Sequence, residues 1–262
     1  MYYRIVSLLC VFVLLPGCFW YDQSATQKKE KMFVQLIAQS QEVDNAVQQL
    51  GKEANIQIKK ILQLPEDFDF DFYLPKELQR VTVYYFYDVA PQAKNELLEA
   101  LDRLLSQEKK PEAVALKNDV AFLGEENDEL VLLIDDKESE LSALNIQIKE
   151  RTHAMNQAYE QEHSVPLYNV AKSEKFDFLP HMGLGRLRVR HIVKHVKDES
   201  QTEKILAQIR DALSERVRDV VRSLQGHLLP FDRIGVLDFS TYHLSTTGYY
   251  EWDYVKEWKL KN

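Results

Sequence analysis

The segment FDFLPHMGLGRL, residues Phe176–Leu187, contains one histidine between a proline and two glycines on a short apolar run. A short apolar run that is bounded by turn residues is typical of a buried strand. Because side chains alternate between the two faces of a strand, His181 and Gly183 share one face and Met182 takes the other. The segment therefore predicts a strand that presents His181 to one side, either as a catalytic group or as an ordinary strand residue.

The composition indicates a globular protein that is not a general nucleic-acid binder. The chain has 262 residues, of which 45% are hydrophobic and 28% are charged, and these fractions are ordinary for a folded domain. The net charge of -8 and the pI near 5.5 exclude the basic surface that general nucleic-acid binding requires. Any contact with a nucleotide is therefore expected to be local.

The first residues predict export and a lipid anchor. An apolar run from Ile5 to Leu15 is well short of the about 20 residues that span a bilayer, so residues 1–17 are interpreted as a signal peptide. The ending LPGC resembles a bacterial lipobox, in which a small residue precedes the cysteine that becomes lipidated. This predicts that Cys18 anchors an exported protein to a membrane of the bacterial envelope. Because Pro16 departs from the usual lipobox, a plain secretory signal and an uncleaved anchor remain alternatives.

A helical stalk is predicted between the anchor and the main domain. Residues 18–31 form a polar tether, and residues 32–64 carry apolar residues such as Leu36, Val43 and Leu50 at helical spacing. One interpretation is a stalk or coiled-coil arm that binds a helical partner through residues 32–62; the other is a helix packed on its own domain. The main domain is predicted to span residues 65–262.

From Arg80 onward, strand and helix patterns alternate. The stretch RVTVYYFYDV predicts a strand, APQAKNELLEALDRLLSQ a helix, and AVALKNDVAFL a second strand. A long helical segment, the opening strand, a further helix and a terminal hairpin follow. The order predicts an α+β fold of two similar lobes.

At these residues the chain resembles the 2H phosphoesterases, including the bacterial 2′-5′ RNA ligase-like and RNA 2′,3′-cyclic phosphodiesterase group. The resemblance extends from about Arg80 to Leu260 and rests on the strand VTVYYFYDVAP, the ending VAFLGE, the strand FLPHMGLGRL and the terminal hairpin. It implies a bilobal domain with two antiparallel-sheet lobes and helices outside, preceded here by a long N-terminal helix. Each lobe of the family contributes one His-x-Thr/Ser motif on a central strand, and the two motifs face one cleft.

The chemistry of that family explains why both motifs are needed. Opening a cyclic phosphate requires a base that activates water and an acid that protonates the leaving oxygen, and histidine serves for both near neutral pH. The Thr or Ser two residues further points to the same side of its strand and binds a phosphate oxygen.

The present chain departs from both motifs. Counting back from Phe122 in FLG, the first histidine position falls on Lys117 and the first hydroxyl position on Asp119. In the second motif His181 is present, but the hydroxyl position is Gly183. The resemblance thus implies His181 and Lys117 as catalytic residues, with Lys117 as a phosphate clamp that Asp119 opposes.

Arg186 is a further candidate for ligand binding, together with Asp119 and Gly183. Arg186, Arg188 and Arg190 recur at every second residue, and strand parity places them on the face opposite His181. A β-bulge at Gly183 or Gly185 would bring Arg186 to the face of His181. Both arrangements remain open from the sequence.

Two histidine patterns are interpreted as structural, and no metal or cofactor is predicted. His191 and His195 have a ligand spacing for a helix, but on the predicted basic strand they stand about 13 Å apart and cannot share an ion. His243 and Ser245 form a literal His-x-Ser, but they lie in the terminal hairpin, where the family carries no catalytic histidine.

Two functions follow from the sequence. The favoured one is an envelope-anchored binding or structural module without ordinary 2′,3′-cyclic phosphodiesterase activity, because three of the four expected groups are missing. The alternative is a phosphoesterase of altered mechanism, in which His181 carries the proton and Lys117 holds a nucleotide-like or other phosphorylated ligand.

Overall fold

The structure is a computed structural model that describes residues 30–65, 72–75, 80–111, 114–124, 126–175, 177–196, 198–224, 226–245 and 248–261. The predicted signal peptide, Cys18 and all but the last two residues of the predicted tether lie outside the described residues. No helix within the described ranges is long and apolar enough to cross a bilayer.

Eleven strands and six α-helices make up the described part of the chain. The strands are β1 (Glu30–Ala38), β2 (Phe72–Pro75), β3 (Arg80–Val89), β4 (Val114–Leu123), β5 (Glu129–Asp135), β6 (His181–Leu187), β7 (Leu228–Leu229), β8 (Phe231–Asp238), β9 (His243–Leu244), β10 (Tyr249–Glu251) and β11 (Tyr254–Lys259). The helices are α1 (Gln41–Leu62), α2 (Lys94–Leu105), α3 (Glu140–His163), α4 (Val170–Ser173), α5 (Val189–His195) and α6 (Thr202–Arg222).

The strands form one sheet in two antiparallel halves. One half has the order β11-β8-β1-β3, and the other has the order β7-β4-β5-β6. The halves meet where β3 pairs with β6, at Val81 and Met182. The strand β2 pairs with the far end of β6 and carries β10 and β9 beyond it. The predicted α+β fold of two antiparallel lobes is confirmed.

Helices cover each half of the sheet. Helices α2 and α3 pack on each other, and α3 and α4 lie against β3. Helices α1 and α6 pack on each other and cover β2 and β4 in the other half. The central strands present Val81, Val83 and Met182 to this core, where all three are fully buried. The opposite face of β3 and β6 is left for the cleft described below.

The predicted stalk over residues 32–64 is wrong in its first part. Residues Glu30–Ala38 form β1, a central strand that pairs with both β3 and β8. Met32, Val34 and Leu36 are fully buried, and their period of two is that of a strand. The domain therefore includes Glu30–Ala38 and does not begin at residue 65.

The second part of the stalk is a helix, but it packs on its own domain. Helix α1 begins after Ser40, whose side chain accepts a hydrogen bond from the Val43 N–H. Asn55 binds both backbone groups of Phe72 at 2.9 and 3.0 Å, and Gly51 lies so close to β2 that a Cβ there would meet Leu74 at 2.5 Å. The long helix is thus confirmed, and the apolar stripe that suggested a helical partner is buried against the chain itself.

The predicted basic strand after His181 is also wrong. Strand β6 ends at Leu187, and residues Val189–His195 form α5. The strand prediction followed the alternation of arginines, but Ile192 is the buried anchor of a helical turn. On this helix His191 and His195 stack edge to face with ring centroids 4.9 Å apart. Among the described residues no group of three or more potential metal ligands is present.

Truncating Ile58 should destabilise the whole domain if α1 belongs to its core. Ile58 is fully buried on α1, whereas Ile56 on the same helix is 62% exposed. We expect Ile58→Ala to lower the free energy of unfolding by about 2–5 kcal/mol, because it leaves a cavity. Ile56→Ala, the matched control, should change it by less than about 0.5 kcal/mol. Urea denaturation measures both. Equal effects of the two substitutions would indicate that α1 projects from the domain as a stalk.

Candidate functional site

An open cleft lies where the two halves of the sheet meet. Its walls come from five strands, which are β1, β2, β3, β5 and β6, and from the C-terminal segment. The lining residues are Gln35, Pro75, Arg80, Thr82, Glu129, His181, Gly183, Tyr250 and Trp252. His181 and Gly183, which the sequence singled out, both lie in this cleft; their roles stay predictions.

The residues that face His181 lie on β3 and not on β4. The antiparallel pairing of Val81 with Met182 places Arg80 opposite Gly183 and Thr82 opposite His181. Arg80 and Thr82 are therefore the β3 residues that share the cleft with His181 and Gly183. The sequence analysis missed them because the ending FLG pointed to β4 and because Arg80-Val81-Thr82 contains no histidine.

The structure does not bring Lys117 and Asp119 to His181. Both lie on β4, which is separated from β6 by β5. Two strand spacings of about 4.8 Å place Lys117 roughly 10 Å from β6. The Lys117 ammonium lies 3.9 Å from Asp135, its side chain is half exposed, and Asp119 is exposed. Neither residue lines the cleft, so the register predicted for the first motif is corrected.

His181 is held in a defined tautomer. Its Nδ1 lies 2.6 Å from the carbonyl oxygen of Leu179. Because a carbonyl oxygen can only accept, Nδ1 carries the hydrogen and Nε2 of the neutral ring keeps its lone pair. This arrangement suits a residue that accepts a proton or a hydrogen bond from a ligand in the cleft.

Arg80 supplies a permanent positive charge to the cleft. It is 7% exposed, and its guanidinium lies 4.6 Å from the ring centre of Trp252, in cation–π contact. An arginine does not lose its proton in a protein, so Arg80 can hold an anion but cannot act as acid or base. Beside it, Thr82 Oγ1 accepts a hydrogen bond of 2.9 Å from the amide of Gln35.

The Glu129 carboxylate lies beside Gly183. A Cβ added at Gly183 would lie 3.3 Å from Glu129 Oε1 and 3.5 Å from the hydroxyl of Tyr250. Burial, and then the negative charge of Glu129, raise the pKa of Tyr85 and of Tyr250 above the usual value of a phenol. The cleft thus contains a carboxylate that the sequence analysis did not select, since Glu129 belongs to no motif and is only the first residue of β5.

A β-bulge turns Arg186 to the face of His181. In the pairing with β5, Val131 faces Gly183 while Leu130 faces Gly185, so Leu184 has no partner across the strand. Leu184 and Gly185 are both buried, and a Cβ at Gly185 would lie 2.2 Å from the ring of Phe72. The bulge that the sequence left open is confirmed.

Arg186 is held by a buried partner. Its Nε donates to Asp128 Oδ2 at 2.5 Å, and Asp128 is 8% exposed. The guanidinium also lies 5.8 Å from the ring centre of Tyr242. Its charge is therefore largely compensated within the chain.

Aromatic side chains of the C-terminal segment border the cleft. Tyr242, Tyr250 and Trp252 lie 5.4–6.0 Å apart between ring centres, and Tyr242 stacks on Phe239 at 4.9 Å. The segment is fixed to the domain by the parallel pairing of β10 with β2 and by a hydrogen bond of 2.8 Å from the Tyr249 hydroxyl to Gln48.

His243 lies in the same C-terminal segment but outside the lining of the cleft. Its Nε2 is 2.7 Å from Glu251, and its Nδ1 is 3.0 Å from the Thr241 carbonyl oxygen. Hydrogen bonds to the Thr241 carbonyl and then to the Glu251 carboxylate raise the pKa of His243. Ser245 accepts a hydrogen bond from the Tyr249 N–H. Both side chains contact the hairpin itself, as expected for structural residues.

Comparison with known proteins finds similar structures but no similar sequences. No family model and no curated protein sequence match the chain. Protein TT0787 of Thermus thermophilus is 11% identical over 88% of this chain and 98% of that one, with a TM-score of 0.45. Usb1 of Kluyveromyces marxianus is 11% identical over 79% of this chain and 93% of that one, with a TM-score of 0.49. LigT of E. coli, solved with 3′-AMP, is 11% identical over 90% of this chain and 100% of that one, with a TM-score of 0.42. These are 2H phosphoesterases, and the likeness is one of fold.

Proposed function

We propose that this chain is an envelope-anchored module that binds a small ligand in the cleft and does not hydrolyse 2′,3′-cyclic phosphates. The observation that carries the proposal is the position of Arg80, which stands opposite Gly183 where the first catalytic histidine of the motif is expected. The ordinary reaction needs two groups that exchange protons near pH 7. His181 is one such group, and Arg80 is not.

The surroundings of Gly183 support the same proposal. Gly183 offers no hydroxyl for a phosphate, and Glu129 Oε1 lies 3.3 Å from the position of a Cβ at this residue. A carboxylate repels a phosphate group, and the two can form a hydrogen bond only if one of them carries a proton. The cleft therefore combines a cation that can hold an acidic ligand with an anion that disfavours a phosphorylated one.

An enzyme of altered mechanism is the second candidate. The hydrogen bond from His181 Nδ1 to Leu179 favours it, because this bond leaves Nε2 as a base. In this case Arg80, and not Lys117, would clamp the ligand, and Glu129 would be the second group that exchanges protons. An assay of 2′,3′-cyclic nucleotide turnover distinguishes the two candidates.

We predict no turnover of 2′,3′-cyclic nucleotides by the full chain, purified in detergent, at any pH from about 5 to 9, since His181 has no second proton carrier opposite it.

Thermal unfolding of the same protein should report binding of simple anions such as acetate that depends on Arg80. Arg80→Gln should weaken that binding about tenfold or more, since a charge-assisted hydrogen bond is lost. The control Arg190→Gln removes an arginine whose side chain is 89% exposed and should bind as the wild type does.

Turnover that His181→Ala abolishes would disprove the binding-module proposal in favour of the enzyme. The matched control for that substitution is His163→Ala, at the exposed end of α3. Binding that is unchanged in Arg80→Gln would contradict the role given to Arg80.

The envelope anchor is proposed from the LPGC pattern at Cys18 and from the start of the sheet. Residues 19–29 separate Cys18 from the first described strand, which begins at Glu30. Eleven residues reach at most about 40 Å even when they are fully extended. A lipid at Cys18 would thus keep β1 within about 40 Å of the membrane.

Cys18→Ser is expected to release the protein from the membrane. Expressed in a Gram-negative host, the wild type should sediment with membranes and incorporate a labelled fatty acid, because two or more acyl chains anchor stably. The variant should lose the label. Cys10→Ser, in the apolar run, is the control and should keep it. Labelling that survives Cys18→Ser would contradict the anchor.

A further inference from the structure

Ser40, His227 and Glu42 form a cluster of side chains outside the cleft. Ser40 Oγ lies 2.9 Å from His227 Nε2, and Glu42 Oε2 lies 3.4 Å from His227 Nδ1. The three residues are not among those that line the cleft. A hydroxyl, an imidazole and a carboxylate in this order are the groups that activate a serine as a nucleophile.

The contacts of the cluster favour one tautomer of His227. An ionised carboxylate can only accept a hydrogen bond, so the hydrogen of the neutral ring belongs on Nδ1, which faces Glu42. Nε2 then keeps its lone pair and accepts a hydrogen bond from the Ser40 hydroxyl. In this arrangement an imidazole can remove the proton from a serine hydroxyl.

Ser40 is held at the turn between a strand and a helix. Strand β1 ends at Ala38, and α1 begins at Gln41. The Val43 N–H donates to Ser40 Oγ at 3.4 Å. Because a hydroxyl can accept one hydrogen bond while it donates another, this contact leaves the Ser40 hydrogen available to His227. Ser40 is only half-buried, so a small molecule can reach its hydroxyl.

His227 is fixed through its backbone. Its N–H donates to the Leu224 carbonyl oxygen at 2.8 Å, and its carbonyl oxygen accepts from the Leu116 N–H of β4 at 3.1 Å. Its side chain is 27% exposed. The ring therefore has a defined position beside Ser40 and is still accessible to water.

The start of α1 favours a negative charge on the oxygen of an attacked carbonyl group. The first N–H groups of an α-helix have no carbonyl partner within the helix, and the helix dipole is positive at this end. Helix N-termini stabilise developing oxyanions in this way. The Glu42 carboxylate is 65% exposed and repels a substrate that carries its own negative charge. The cluster therefore suits an uncharged ester.

We propose that Ser40 hydrolyses uncharged carboxylic esters, with His227 as its base and Glu42 as the residue that positions His227. Ser40 Oγ forms a bond to the acyl carbon, and its proton passes to His227 Nε2. The bond between the acyl carbon and the alcohol oxygen breaks, and His227 gives the proton to the leaving alcohol. Water then attacks the acyl-serine and gives a proton to His227, which returns it to Ser40 as the carboxylic acid leaves.

The test uses the full chain in detergent with two probes, p-nitrophenyl acetate and a fluorophosphonate that reacts with activated serines. We expect hydrolysis of the ester, and peptide mapping by mass spectrometry should find the phosphonyl group on Ser40. Ser40→Asn should reduce hydrolysis to the uncatalysed rate, while asparagine keeps the N-cap of α1 and hence the fold. Ser223→Ala, which removes an exposed serine after α6, is the matched control and should hydrolyse as the wild type does.

Two further substitutions separate the base from the residue that positions it. His227→Gln should lower kcat about 100-fold or more, because an amide forms hydrogen bonds but carries no proton near pH 7. Glu42→Gln should lower kcat by no more than about tenfold and leave KM unchanged, since an exposed ion pair contributes little. Glu162→Gln, whose side chain is 78% exposed, is the matched control for Glu42.

Three results would overturn the esterase. It fails if the wild type does not hydrolyse the ester, if the phosphonyl group is not found on Ser40, or if Ser40→Asn leaves hydrolysis unchanged. The labelling of the wild type keeps the test decisive if a variant does not fold. Each of these results would reduce Ser40 to a helix cap. The binding module would still stand, since its assays use cyclic nucleotides, acetate and other residues.

Discussion

The pairing of Val81 with Met182 is the constraint on which the rest of the structure depends. It joins the two halves of the sheet, and both side chains are fully buried in the core. Because faces alternate along a strand, burying this pair forces Arg80, Thr82, His181 and Gly183 onto the opposite face, where they form the cleft. A shift of the pairing by one residue would exchange the core and the site.

This junction brings groups of different chemistry into one cleft. They are one histidine, His181, one permanent cation, Arg80, and one carboxylate, Glu129. Gly183 lies between these groups, since a Cβ at this residue would be 3.3 Å from Glu129 Oε1 and 3.5 Å from the Tyr250 hydroxyl. The cation–π contact between Arg80 and Trp252 then ties the C-terminal segment to the cleft. The aromatic residues of the C-terminal segment and Arg80 thus form one wall of the cleft.

The sequence predicted the fold class and the strand at His181, but not the strand that faces it or the strand at the N-terminal end of the described residues. The strand at His181 was recognised because a proline and two glycines accompany its short apolar run. Arg80 was not selected, because the ending FLG drew attention to β4. Residues 32–38 fit helical spacing as well as strand alternation, and only burial between β3 and β8 decides for the strand. The bulge at Leu184 depends on Phe72 from another strand, which no local pattern reports.

The register of the central junction is tested most directly by cross-strand disulfides in a chain whose Cys10 and Cys18 are replaced by serine. In the structure residues 82 and 181 are directly opposite, within the about 4.4–6.8 Å between Cα atoms that a disulfide spans. Thr82→Cys with His181→Cys should therefore oxidise to an intramolecular disulfide that peptide mapping by mass spectrometry identifies. Lys117→Cys with His181→Cys should stay reduced, because β5 lies between them. A disulfide in the second pair and none in the first would contradict the cleft as described.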